Sequence, residues 1–224
     1  MAKLIIKKKI KQFNKVIKVD GDKSLSIRAL LFGSQSFGIC EIKNLSRSGD
    51  ILSTIKGLKK LGIKIIFKKK ICLVYGNGLN GFKYKKNISV NAGNSGTFAR
   101  LLLGLLIKSP NEIKIFGDKS LSKRDFLRAV HPLQEFGAKF RMNYNGTLPI
   151  KMLGTEYSKP INYFENRGSA QCKSLVILAA LNTPGKTIIK AKKSRDHTEL
   201  FLKYLKLPIK LVKKNNHDFI EISG

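Results

Sequence analysis

The residues best suited to chemistry in this chain stand at the entrances of expected helices, and each is followed four positions later by a cation. Ser24 leads to Arg28, Gly96 to Arg100, Ser120 to Arg124 and Ser169 to Lys173. The first turn of a helix carries free backbone N–H groups and a partial positive charge, which together favour a bound anion. Residues four apart share a helix face, and helical side chains lean back toward the N-terminus. Each cation is therefore expected to reach back over its own helix mouth. For stability alone a cation belongs at the opposite end of a helix. Repeated at four entrances, the placement points to something negative held between them.

Two of the entrances are spelled alike. GDKSLS occurs at 21–26 and again at 117–122, running on to Arg28 and Arg124. Asp22, Ser24, Asp118 and Ser120 are also ordinary N-cap residue types, but capping does not require a cation one turn later. In NAGNSGT, Gly93 and Asn94 suit a tight turn, and Gly96 lets backbone approach a ligand closely.

Other chemistries lack their signatures. There is no Walker-type phosphate loop, no G-x-G-x-x-G after a strand, no H-E-x-x-H and no paired Cys/His spacing, so no metal or organic cofactor is expected. The three histidines are scattered: His131, beside Pro132, reads as structural, and His197 in SRDHTE opens a helix and could touch a ligand. Among 14 acidic residues no pair stands out for general acid–base work. The chain reads as an anion receptor without a chemical engine.

Hydrophobic patterning supplies the elements that must position these residues. A strand is expected near 17–19, then a helix over 24–35, a strand over 38–43, a helix over 50–61 and the strand pair IKIIF and ICLVY. The series restarts with ISV, a helix from Gly96, EIKIF, a helix over 122–136, AKF and LPIKM. It runs a third time through INYF, a helix over 169–181, KTIIK, a helix over 196–206, PIKLV and DFIEI. Each pass reads βαβαββ, giving units at about 17–76, 88–152 and 161–222 of one α+β domain built from α/β-type repeats. Such units can pack helices inward and sheets outward, or the reverse. The first 16 residues fall outside the scheme.

At 224 residues and 42% hydrophobic the chain can bury a substantial core. Nothing is long and apolar enough for a membrane span, and the three cysteines lack C-x-x-C spacing, so a reducing, cytoplasmic setting is expected. The net charge of +30 attracts anions of any kind. Because lysine is spread along nearly the whole chain, with much Ile and Asn, most of that charge reads as a drift in residue usage.

Six stretches carry a resemblance: GDKSLSIRALL (21–31), GNSGTFARLLLGLL (93–106), GDKSLSKR (117–124), LPIKMLG (148–154), SAQCKSLVILAAL (169–181) and SRDHTE (194–199). Together they resemble 5-enolpyruvylshikimate-3-phosphate synthases, which move the enolpyruvyl group of phosphoenolpyruvate to the 5-hydroxyl of shikimate 3-phosphate with no cofactor. The resemblance implies one domain of the two-domain enolpyruvyl transferase fold, each domain made of three βαβαββ units. It implies shikimate 3-phosphate contacts from Lys23, Ser24, Arg28, Ser169, Ala170, Gln171 and Arg195. It implies phosphoenolpyruvate contacts from Lys23, Gly96, Arg124 and Gln171, with Asn94 and Arg100 in support. Lys23 is the nearest candidate for a catalytic role, because the family's proton-transfer carboxylates lie in a second half not found here. Residues 1–16 are then a strand segment of that other domain, and a C-terminal domain is needed in cis or in trans, this chain alone being an inactive fragment or half of a split enzyme.

Three local departures stand out: Asp125 follows Arg124 where the family has proline, Ser95 stands where alanine is commoner, and RSGD (47–50) is poorer in aspartate. Two other functions compete. A sister enolpyruvyl transferase acting on a UDP-sugar would carry Asn after the first-turn Lys, where this chain has Ser24. A basic nucleic-acid-binding module would use KKK at 7–9 and 68–70 and the aromatics of FKYKK at 82–86.

Overall fold

A computed structural model describes residues 14–224 continuously, together with Ile5, Lys7, Lys9 and Gln12. The expected strand segment over 1–16 lies largely outside the described residues.

The first unit contains α1 (Lys23–Ser34), β1 (Phe37–Lys43), α2 (Gly49–Lys60), β2 (Lys64–Lys68) and β3 (Ile71–Asn77). The second contains β4 (Ile88–Asn91), α3 (Gly96–Leu105), β5 (Ile113–Phe116), α4 (Leu127–Glu135), β6 (Lys139–Met142) and β7 (Ile150–Leu153). The third contains β8 (Asn162–Glu165), α5 (Ala170–Ala180), β9 (Lys186–Lys192), α6 (His197–Tyr204), β10 (Ile209–Lys214) and β11 (His217–Ser223).

Each unit forms its own sheet. The second and third are four-stranded, in the orders β4-β5-β7-β6 and β8-β9-β11-β10, and open with a parallel pair followed by antiparallel pairs. The first is three-stranded, in the order β1-β3-β2. The strand expected near 17–19 is not formed. Val16, Ile17 and Val19 are exposed and pair with no strand among the described residues, so apolar composition alone does not make a strand here.

The helices lie inside and the sheets outside. Every residue of α5 from Cys172 to Ala180 is buried, and α3 is buried from Leu101 to Leu105 and at Phe98 and Ala99. A helix apolar on all sides belongs in a core. Here α1, α3 and α5 form that core, with Leu30, Leu102 and Val176 among its fully buried side chains.

The expected helix over 122–136 divides in two. A 3₁₀ turn at Leu121–Lys123 ends in an extended Arg124, and α4 begins at Leu127. Asp125 causes the restart, since its carboxylate accepts the Leu127 N–H at 2.7 Å. The two GDKSLS copies nevertheless open identically. The Asp22 carboxylate accepts from the Leu25 N–H and the Asp118 carboxylate from the Leu121 N–H, each at 2.7 Å. They diverge only where IRAL continues one helix and KRDF stops the other.

Candidate anion-binding site

The entrances of α1, α3 and α5 meet over two adjoining cavities. The larger, about 470 Å³, is lined by Lys23, Ser24 and Arg28 of α1, Ser169, Ala170 and Gln171 at the start of α5, and Arg195 before α6. The smaller, about 240 Å³, is lined by Asn94, Gly96, Arg124 and Asp50. Lys23, Thr97 and Gln171 line both.

Local sequence sets each piece. Gly21 lets the α1 entrance lie against the loop after β1, because a Cβ there would sit 1.8 Å from the Asn44 carbonyl. Ser95 and Ser169 cap α3 and α5, accepting from Phe98 N–H and Cys172 N–H at 3.2 Å each. Gly96 leaves room for two guanidinium groups: a Cβ there would lie 2.9 Å from Arg100 Nη1 and 3.1 Å from Arg124 Nη1.

Arg28 is 2% exposed and reaches back over its own helix as expected. Its Nη1 donates to the Ser24 hydroxyl at 2.7 Å and carbonyl at 3.2 Å, its Nη2 to Ser174 at 3.0 Å and its Nε to Thr198 at 2.7 Å. Burial lowers its pKa to about 10, which still leaves it ionised at neutral pH. Arg100 is likewise lowered by burial; it donates to Gln171 and to the Asp125 carbonyl and lies over the Phe126 ring. Arg124 departs from the four-residue reading: it is not on an α-helix and reaches the α3 entrance instead of its own, donating to Asn94 at 3.0 Å and facing the smaller cavity. Lys23 pairs with Asp50 at 3.3 Å.

Lys173 corrects the four-residue reading. It is fully buried and pairs with Glu199 at 2.6 Å and Asp218 at 2.9 Å, away from the Ser169 helix mouth. Sequence reasoning passed over Thr97, which accepts from Gln171 Nε2 at 2.9 Å, and Ser174 and Thr198, which hold Arg28. All three lay inside quoted stretches, Thr97 in GNSGT, Ser174 in SAQCKSLVILAAL and Thr198 in SRDHTE, but none is charged and none stands at the counted four-residue spacing. His197 Nδ1 is 3.4 Å from the Ser24 hydroxyl, at the edge of the larger cavity.

A further cavity of about 460 Å³, over α2 and beside Lys69 and Lys70, contains none of the expected contact residues. The basic stretch at 82–86 is no stacking platform, since Phe82 and Tyr84 pack against the core and the Tyr84 hydroxyl is bonded to Ser109. Among the described residues no His, Cys, Asp and Glu side chains cluster as a metal site, and no helix is long and apolar enough to cross a membrane.

Residues 7–224 match the pattern of EPSP synthase (3-phosphoshikimate 1-carboxyvinyltransferase). The chain belongs to the EPSP synthase family. It is 41% identical over 206 residues to the 3-phosphoshikimate 1-carboxyvinyltransferase of Vesicomyosocius okutanii, covering 92% of this chain and 47% of that protein. The corresponding enzyme of Oenococcus oeni is 42% identical over 198 residues, covering 87% of this chain and 45% of its own length. The structure of EPSP synthase from Acinetobacter baumannii superposes with a TM-score of 0.85 at 33% identity, over 93% of this chain and 46% of that one. The enolpyruvyl transferase NikO from Streptomyces tendae, at a TM-score of 0.69 and 10% identity, shares the fold, over 94% of this chain and 49% of its own. This chain thus spans about half the length of the EPSP synthases it matches.

Proposed function

We propose that this chain supplies the shikimate 3-phosphate site and part of the phosphoenolpyruvate site of a 3-phosphoshikimate 1-carboxyvinyltransferase, and that turnover needs a second half in cis or in trans. One observation carries the reading: cationic and hydroxyl groups from three helix entrances meet on two cavities of unequal size that share Lys23, Thr97 and Gln171.

The larger cavity suits the larger acid. Arg28, with four protein acceptors on it, is fixed before the ligand arrives, so little ordering cost remains when its charge meets the acid. Ser24, Ser169, Ala170, Gln171 and Arg195 surround the remainder. The smaller cavity suits phosphoenolpyruvate, held by Arg124 and by backbone at Gly96, with Arg100 and Asn94 in support. Lys23 lies between them, where its ammonium can touch both substrates and offset charge that develops as the enolpyruvyl group moves. The described residues offer no proton-transfer carboxylate over either cavity except Asp50, already paired with Lys23.

Calorimetry with shikimate 3-phosphate, on this chain alone and with a supplied C-terminal half, tests the reading together with an assay for product. Binding by the chain alone, strengthened by the second half and accompanied by turnover only then, is the expected result. Product formation at a normal rate by the isolated chain contradicts it.

A further inference from the structure

The buried ions that the proposed chemistry does not use lie directly behind the pocket. Lys173 of α5, Glu199 of α6 and Asp218 of β11 are each at most 2% exposed. Lys173 Nζ is 2.6 Å from Glu199 and 2.9 Å from Asp218. Neither Glu199 oxygen accepts a well-aligned hydrogen bond, so proximity to charge, not hydrogen bonding, is what holds it.

Beside this triangle of ions stands one in which two hydroxyls meet the Arg28 guanidinium. Arg28 donates to Thr198 and Ser174, and Thr198 donates to Ser174 at 2.7 Å. The two triangles are built from adjacent residues, 173 with 174 on α5 and 198 with 199 on α6. Helices α5 and α6 are thus joined twice at one level, once through charges and once through hydroxyls, and Arg28 rests on the hydroxyl layer. Burying three ions carries a desolvation cost that apolar packing would avoid. The return is geometric: the charged pair fixes the height of Thr198 and Ser174 under the guanidinium.

We infer that Glu199 is a positioning residue for the anion pocket, acting through Thr198 on Arg28. This rests on the reading of the larger cavity as the shikimate 3-phosphate site. The charged groups around Arg28 and Glu199 are Asp22 and Lys23 from α1 and its cap, Lys173 from α5, Arg195, Asp196 and His197 at the α6 entrance, Lys213 from β10 and Asp218 from β11. Glu199 supports the charge of Arg28 most strongly among the carboxylates facing it.

Positioning and simple field effects predict opposite signs. Removing a negative charge behind an anion pocket strengthens the field on an incoming phosphate, so a field effect alone makes Glu199→Gln bind more tightly. Loss of positioning makes it bind more weakly. Glu199→Gln leaves Lys173 and Asp218 as a balanced pair, which favours a folded variant.

The test is titration of shikimate 3-phosphate into the full chain and its Glu199→Gln, Glu199→Asp and Asp218→Asn variants, with circular dichroism to confirm folding. Expected is a loss of roughly tenfold or more in affinity for Glu199→Gln, equivalent to about 1.4 kcal/mol. Glu199→Asp should recover part of it, and Asp218→Asn should stay within about twofold of the parent. Unchanged or tighter binding by folded Glu199→Gln overturns the inference. If Glu199→Gln does not fold, Asp218→Asn decides: retained affinity supports a role particular to Glu199, and a comparable loss overturns it. If the parent chain ignores shikimate 3-phosphate, the substrate reading fails, and inorganic phosphate titrated into the same variants reads the positioning claim by the same signs.

Discussion

Arg100 Nη1 donates to Gln171 Oε1 at 3.0 Å, tying α3 to α5 on the seam between the two cavities. The other end of the same amide donates to Thr97 at 2.9 Å, so Gln171 cannot turn without breaking one bond or the other. Gln171→Leu removes both bonds at similar volume. Binding of shikimate 3-phosphate should weaken by roughly thirtyfold, in line with about 1 kcal/mol for each of the two lost hydrogen bonds. Calorimetry reads the affinity, and a variant that binds as well as the parent contradicts the role given to this side chain.

Gly96→Ala tests the smaller cavity separately. Its methyl group meets Arg100 Nη1 and Arg124 Nη1, the flexible ends of two side chains, so the fold should survive while both guanidinium groups are pushed aside. Phosphoenolpyruvate binding to a complex of the two halves should fall severalfold more than shikimate 3-phosphate binding. Equal losses for the two ligands would show that the cavities are not independent.

Lys173→Met removes the one cation shared by two buried carboxylates. Leaving buried charge unpaired costs about 3–5 kcal/mol, so the urea midpoint should drop sharply. A midpoint close to the parent's would mean that water reaches the cluster.

Asp196 gives a pH prediction of opposite scale. The Lys213 ammonium, 2.8 Å away, holds its carboxyl below the usual range. A lowered carboxylate contributes stability above its unfolded pKa, and that contribution disappears as pH falls through the folded value. Lys213→Met should therefore flatten the acid side of a stability–pH curve and do little at neutral pH. The pair is largely solvated, so the effect should be much smaller than that of Lys173→Met. An unchanged acid limb refutes the pairing.

The alternation of apolar residues made most strands legible, and the caps and glycines marked most helix starts. Part of what escaped depended on partners distant in sequence. VIKV at 16–19 has strand composition, but whether it pairs is decided elsewhere. The second GDKSLS turn ends where the Asp125 carboxylate accepts from the Leu127 N–H, a local bond that periodicity does not register. At the site, spacing of four residues correctly aimed Arg28 and brought Arg100 beside Gly96. It failed for Lys173 because a shared helix face says nothing of whether that face meets solvent or another helix. Apolar residues all around α5 were the available warning.

The entrances of α1, α3 and α5 converge on adjoining cavities, proposed here to hold a phosphorylated acid. Titrating shikimate 3-phosphate into isotope-labelled chain, and following backbone amide shifts by NMR, tests it most directly. Saturable shifts are expected, concentrated at Lys23, Ser24, Thr97, Ser169, Ala170, Gln171 and Arg195. Shifts centred instead on the cavity beside Lys69 and Lys70, or spread evenly over surface lysines, would contradict it.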